Sequence, residues 1–224
     1  MKKLFLPILF AIMLPVSFSC STLRNYVLTE QDAVAALRQM LQLGARSNLQ
    51  GAFSKDAVMA TLFPEGLRKT LNTLQQLGLT GEIDRFTATL GTAAEQTATK
   101  SVPIFLQGIG NMSFTDGVRI VKNGGTSATD YLRTSIGADL RKEITPVMQE
   151  ALNEYKLVEQ WNNIIKPAQA LVGNRLNLDL PTLMAGLVSE KMFQKLEETE
   201  QQVRTNAAAR TTPLLQKVFS RNWN

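Results

Sequence analysis

Apolar residues recur along this chain at steps of three and four, and run after run opens on a capping residue and closes on glycine. In "LTEQDAVAALRQMLQLGA", Thr29 is placed to cap a helix start with acids behind it. Leu37, Met40, Leu41 and Leu43 form the apolar face, and Gly44 suits the exit. In "FPEGLRKTLNTLQQLGLTGE", Pro64 suits a first turn, Leu67, Leu71, Leu74 and Leu77 make the stripe, and Gly78 closes it. From Gly81 to about Lys100 the positions Ile83, Phe86, Leu90, Ala93 and Ala94 predict a further helix, and Pro103 is expected to start another, shorter one. "SFTDGVRIVKNGG" reads as cap, short helix and glycine stop.

A long helix is entered at Ser127 and runs to Tyr155, with a kink or break expected at Pro146. Lys166 to Pro181 has little periodicity and is the expected long loop, after which two or three more helices complete the chain. No sustained alternation, heptad series or internal repeat is present. Amphipathic helices must bury their stripes against one another, so the predicted fold is all-α, an irregular multi-helix bundle in a single domain. The alternative is two α-subdomains split near 166–181.

The first nineteen residues break this pattern. Lys2 and Lys3 precede an apolar run from Leu4 to Val16 that ends in small and polar residues, the three-part form of an export signal. The run is shorter than the roughly 20 apolar residues a membrane span needs and holds Pro7 and Pro15, so a removed leader is expected. Cys20, the one cysteine, follows directly. The arrangement resembles a lipobox, in which the thiol takes a diacylglyceryl group and the freed amine is acylated. Several acyl chains make a lasting tether, since each buried CH₂ contributes roughly 0.8 kcal/mol. The expected organisation is therefore leader 1–19, lipidated N-terminus and tether 20–28, and helical domain 29–221.

Losing nineteen of 224 residues leaves 205, enough for one sizeable core. The leader holds two of the 24 basic residues and no acid, so against 19 acids the mature chain stands at +3, too mild to indicate nucleic acid as a partner. With a single cysteine no disulfide forms within the chain, and packing alone must stabilise it. The absence of histidine excludes Ser-His-Asp and Cys-His catalysis and the usual zinc sites.

Five pieces, "TAAEQTA", "PIF", "MSFTD", "GGTSATDYLR" and "MFQKLEETEQQVRTNAAARTTPLLQKVF", occur in an order that resembles the bacterial domain-of-unknown-function family 4197. The likeness runs from about Ala33 to Phe219, and it implies an exported helical protein and no known activity. The chain departs from the family pattern at Gly91-Thr92, Leu132 and Thr199. The polar positions that match are Glu95, Asp116, Thr129, Arg133, Glu200, Arg204 and Arg210. One expectation is that they cap and tie helices, with Asp116 at a helix start and Glu200 paired to Arg204 four residues on. The other is that some of them converge on an anionic or metal-bound ligand.

Neither a metal nor a cofactor is expected. "KLEETEQQ" places Glu197 and Glu200 on one helix face but contains no loop of alternating oxygen donors. "VKNGGTSA" suggests a small anion-binding nest but lacks the lysine and spaced glycine of a phosphate loop. "GIG" at 108–110 lacks a third glycine, Ser113 standing in its place, and close helix contact explains it better. The expected protein is thus a non-enzymatic, lipid-tethered binder of an envelope partner or component. It is expected to face the periplasm, and the resemblance to bacterial lipoproteins, in which absence of Asp after the cysteine permits transfer outward, implies the outer membrane, since Ser21 stands there. A carrier of an apolar, lipid-like ligand and a carboxylate-dependent hydrolase are the alternatives. Cys20→Ala is expected to abolish lipid labelling and to release the protein from membranes; retention in the membrane fraction would refute the anchor.

Overall fold

A computed structural model describes residues 26–62, 65–172 and 179–223. The leader, Cys20, Pro64 and the 173–178 part of the expected loop lie outside the described residues, as do the side chains of Leu67 and Leu77. Among the described residues there are nine α-helices and no strand. They are α1 (Glu30–Ala45), α2 (Lys55–Leu62), α3 (Glu65–Leu74), α4 (Thr80–Asn111), α5 (Gly117–Asn123), α6 (Ser127–Glu154), α7 (Leu157–Val172), α8 (Leu180–Thr205) and α9 (Pro213–Phe219). No helix among them is long and apolar enough to cross a membrane.

The local signals operate as expected at several ends. Thr29 accepts from the amide of Asp32 and starts α1. Gly78 adopts φ 99° where α3, through a π turn at Gln75–Leu79, bends into α4. Gly124 and Gly125, at φ 71° and 56°, end α5 immediately before α6 begins at Ser127. After the tail of α8, Thr212 caps α9 by accepting from Leu215.

Four expectations need correction. Pro103 starts nothing, because α4 runs through it as one helix of 32 residues. Likewise α6 continues unbroken through Pro146. Both prolines are exposed, as are Thr99 and Lys142, whose carbonyls lose a helical partner and can turn to water. The buried residues on either side, Ser101 and Phe105 in α4, Ile144 and Met148 in α6, hold both halves of each helix against the core. The loop expected from Lys166 shrinks from both sides: α7 extends to Val172, and α8 starts at Leu180 with Asp179 as its cap. Gly44 does not end α1, which continues to Ala45. Its role is closeness, since a Cβ there would stand 3.0 Å from the Leu196 Cα of α8.

The centre of the bundle is α8, which packs against α6 and α1 and touches α4, α2 and α9. Because α8 follows the 166–181 segment and these partners include helices on its N-terminal side, the two-subdomain alternative fails. Phe86, Phe105, Leu37, Leu132, Ile144 and Leu196 are almost fully buried in one contiguous core. Phe105 and Phe193 meet edge to face at 5.4 Å. Gly91 brings α4 against the turn before α2 so tightly that a Cβ would lie 2.3 Å from the Phe53 carbonyl oxygen. Gly91→Ala is expected to destabilise the fold by about 1–3 kcal/mol, read from urea unfolding. Gly110→Ala, with nothing within 4 Å of the added carbon, should cause no loss.

Candidate functional site

The corner between α5 and α6 is built around two side chains of α8. Glu200 is fully buried. One of its oxygens accepts from the Ala128 amide at 3.0 Å, the other from the Thr129 amide at 2.8 Å and the Thr129 hydroxyl at 2.7 Å. These are first-turn amides of α6, whose own N-cap residue, Thr126, makes no capping bond and donates instead to Asp130. A carboxylate from another helix therefore caps α6, and its charge suits the positive end of the helix.

Arg204 does the converse for α5. Its guanidinium donates to Glu200 from Nε and Nη2 at 3.0 and 2.8 Å, and to the carbonyls of Val121 and Ile120 at 2.9 and 3.2 Å. A cation thus satisfies the last carbonyls of α5, and it also lies 5.3 Å from the Phe219 ring centre. The i,i+4 spacing suggests a surface pair, yet the side chains are 0% and 11% exposed. Nearby, Arg210 donates to the carbonyls of Val203 and Arg204 and closes α8 in the same manner.

The other matching residues lie in separate sets of contacts. Asp116 caps α5 by accepting from Arg119, at φ 63°, while Glu30 of α1 accepts from Gly117 and Val118 at the same helix end. Arg133 bridges Glu190 and Glu197 and stacks 4.5 Å from the Phe193 ring centre. Burial lowers the Arg133 affinity for its proton, but the bonds to Glu197 and Glu190 outweigh that and raise it. Glu95 accepts from the Gly51 amide at 2.9 Å and fixes the turn after α1. Glu197 and Glu200, close in sequence, thus serve different partners, and no group of acidic or cysteine residues among the described residues is arranged to hold a metal.

Beside the Arg204 corner opens a pocket of about 260 Å³, lined by Lys122, Gly124, Gly125, Arg204, Arg221 and Trp223 among others. Among the described residues its lining contains no carboxylate. Arg204 is neutralised by Glu200, whereas Lys122 and Arg221 pair with no carboxylate among the described residues. The amides of Gly124 and Gly125 have no hydrogen-bond partner within the described chain. Sequence reasoning singled out the two glycines and Arg204 but missed Lys122, Arg221 and Trp223, which carry no signal in spacing; they meet through the packing of α9 beside α8.

One wall of this pocket continues into the start of the domain. Tyr26 packs edge to face on Trp223 at 5.8 Å, and its carbonyl accepts from Arg221 at 3.4 Å. Its hydroxyl donates to Asp32 at 2.6 Å, and Lys217 donates to the same carboxylate oxygen at 3.0 Å. The bond from Tyr26, then that from Lys217, hold the Asp32 carboxyl below its ordinary range, while burial and the Asp32 bond push the Tyr26 phenol up. A second hollow, about 340 Å³ between α4 and α7, is lined by Leu79 and Ile164 with Glu82, Arg85, Gln160 and Asn163, and it contains none of the seven matching residues. Glu200→Ala would leave a buried guanidinium without its counter-charge and two amides without an acceptor, with an expected loss of about 3–5 kcal/mol in denaturant unfolding; a loss under about 1 kcal/mol would refute the corner's role.

No curated protein and no solved structure matches this chain. A family match does exist and spans residues 27–220, from the residue after Tyr26 through α9, and so takes in the α5–α6 corner and the pocket residues up to Phe219, with Arg221 and Trp223 just beyond it. The chain belongs to the family described as Protein of unknown function (DUF4197).

Proposed function

We propose that this is a lipid-tethered protein of the cell envelope that faces the periplasm and acts without catalysis, by binding an anionic group in the pocket beside Arg204. The observation that carries the binding role is the pocket's charge: Lys122 and Arg221 share a lining that holds no carboxylate among the described residues. The amides of the left-handed Gly124-Gly125 turn, which have no partner among the described residues, add donors of the kind that cradle anions. Arg204, locked by Glu200, holds the corner in place rather than reaching for a ligand. Charge-assisted bonds from Lys122 and Arg221 would supply most of the attraction.

The acids favour this role over hydrolysis. Glu95, Asp116 and Glu200 accept from backbone amides of three different segments, the 49–53 turn, α5 and α6. Paired carboxylate chemistry needs two such groups facing one substrate. The tether reading rests on the leader and on Cys20.

The test is a titration of the mature chain with inorganic phosphate, followed through the amide resonances of Gly124 and Gly125. Both are expected to shift saturably in the millimolar range, and the Lys122→Ala/Arg221→Ala variant to lose the response. Unmoved resonances in the unaltered chain would refute the binding role.

A further inference from the structure

We propose that the anionic group is the phosphate ester of a glycerophospholipid headgroup, drawn from the leaflet that holds the tether. This rests on the anion-binding reading above and adds the ligand's source. Free phosphate esters present the same chemistry, so what selects the lipid is the pocket's position.

Cys20 precedes Tyr26 by six residues. A chain of that length spans at most about 20 Å when fully extended. Tyr26 is fastened directly to the pocket wall, by its ring contact with Trp223 and by the bond from Arg221 to its carbonyl. Acyl chains on Cys20 therefore hold this pocket, and no distant face of the bundle, within reach of the headgroups.

The surface around the tether root has the composition that such a position favours. Val27 is an apolar side chain left 77% exposed by the described residues. Lys217 lies 4.0 Å from the Tyr26 ring centre, and Arg221 lies 5.5 Å from Tyr26 and 5.9 Å from Trp223. Aromatic rings and basic side chains with apolar stems settle at a membrane interface, where one end is dry and the other wet. Each Lys or Arg near an anionic surface raises affinity about fivefold. The pocket then gives one headgroup a defined seat: its phosphate lies between Lys122 and Arg221 and against the Gly124 and Gly125 amides. With tether and seat on one side of the domain, binding the second becomes an intramolecular event.

The test uses the mature chain from residue 20 onward carrying Cys20→Ser, so that acyl chains do not dominate. It is sedimented with vesicles of phosphatidylglycerol and phosphatidylethanolamine, and in parallel titrated with soluble glycerol phosphate while the Gly124 and Gly125 amides are followed. The expected result is vesicle binding that falls about thirtyfold in Lys122→Ala/Arg221→Ala and about fivefold in Lys122→Ala alone. The latter side chain is exposed and makes no bond that the fold needs. Lys100→Ala/Lys142→Ala, removing two exposed lysines outside the pocket lining, should leave binding unchanged. An equal loss in that control would mean general attraction to charge and would overturn the headgroup seat. Amide shifts with glycerol phosphate but no vesicle binding would overturn the lipid source while leaving the anion pocket standing. Silence in both arms would overturn both.

Discussion

The buried pair of Glu200 and Arg204 joins three helices at once. Taking a carboxylate and a guanidinium out of water costs several kcal/mol for each ion, and their mutual attraction alone rarely returns it. Here the return comes from backbone groups that would otherwise be stranded. The carboxylate takes the amides of Ala128 and Thr129, and the guanidinium takes the carbonyls of Ile120 and Val121. Each charge also sits at the helix end whose dipole it complements. Across the Gly-Gly turn Thr126 makes no capping bond of its own, and α8 supplies acceptors and donors to both helix ends from outside.

Where a structural feature depends on neighbours in sequence, the chain could be read. The Thr29 cap, the left-handed Gly78, the glycine exit of α5 and the entry of α6 at Ser127 are local events, governed by backbone conformation and short hydrogen bonds. The all-α class followed from the same periodicity. What could not be read depends on distant partners. Pro103 and Pro146 look like breaks until burial shows each on a solvent face, where a freed carbonyl is harmless. Gly44 resembles a stop, and only the approach of Leu196 explains it.

The site follows the same division. Glu200 and Arg204 looked like a modest surface pair, because nothing in their spacing reveals that they bond to groups 71 and 83 residues away. Asp116 does cap a helix, but Glu30 of α1 helps it from 87 residues off. Lys122, Arg221 and Trp223 were invisible as a set, since an exposed lysine and a basic-aromatic C-terminus are ordinary features of any soluble surface. Their meaning depends on the turn after α9 that carries Arg221 and Trp223 back beside the Gly-Gly corner.

Helix α5 has only seven residues, too few to persist by itself in water, and it is gripped at one end by Glu30 and at the other by Arg204. Those two clamps come from near opposite ends of the domain. As the polypeptide is made from its N-terminus, this corner has one clamp early and lacks the other until α8 has been synthesised. The last fifth of the chain thus acts as a keystone, and a protein shortened before it would be left open at the place where the other helices meet.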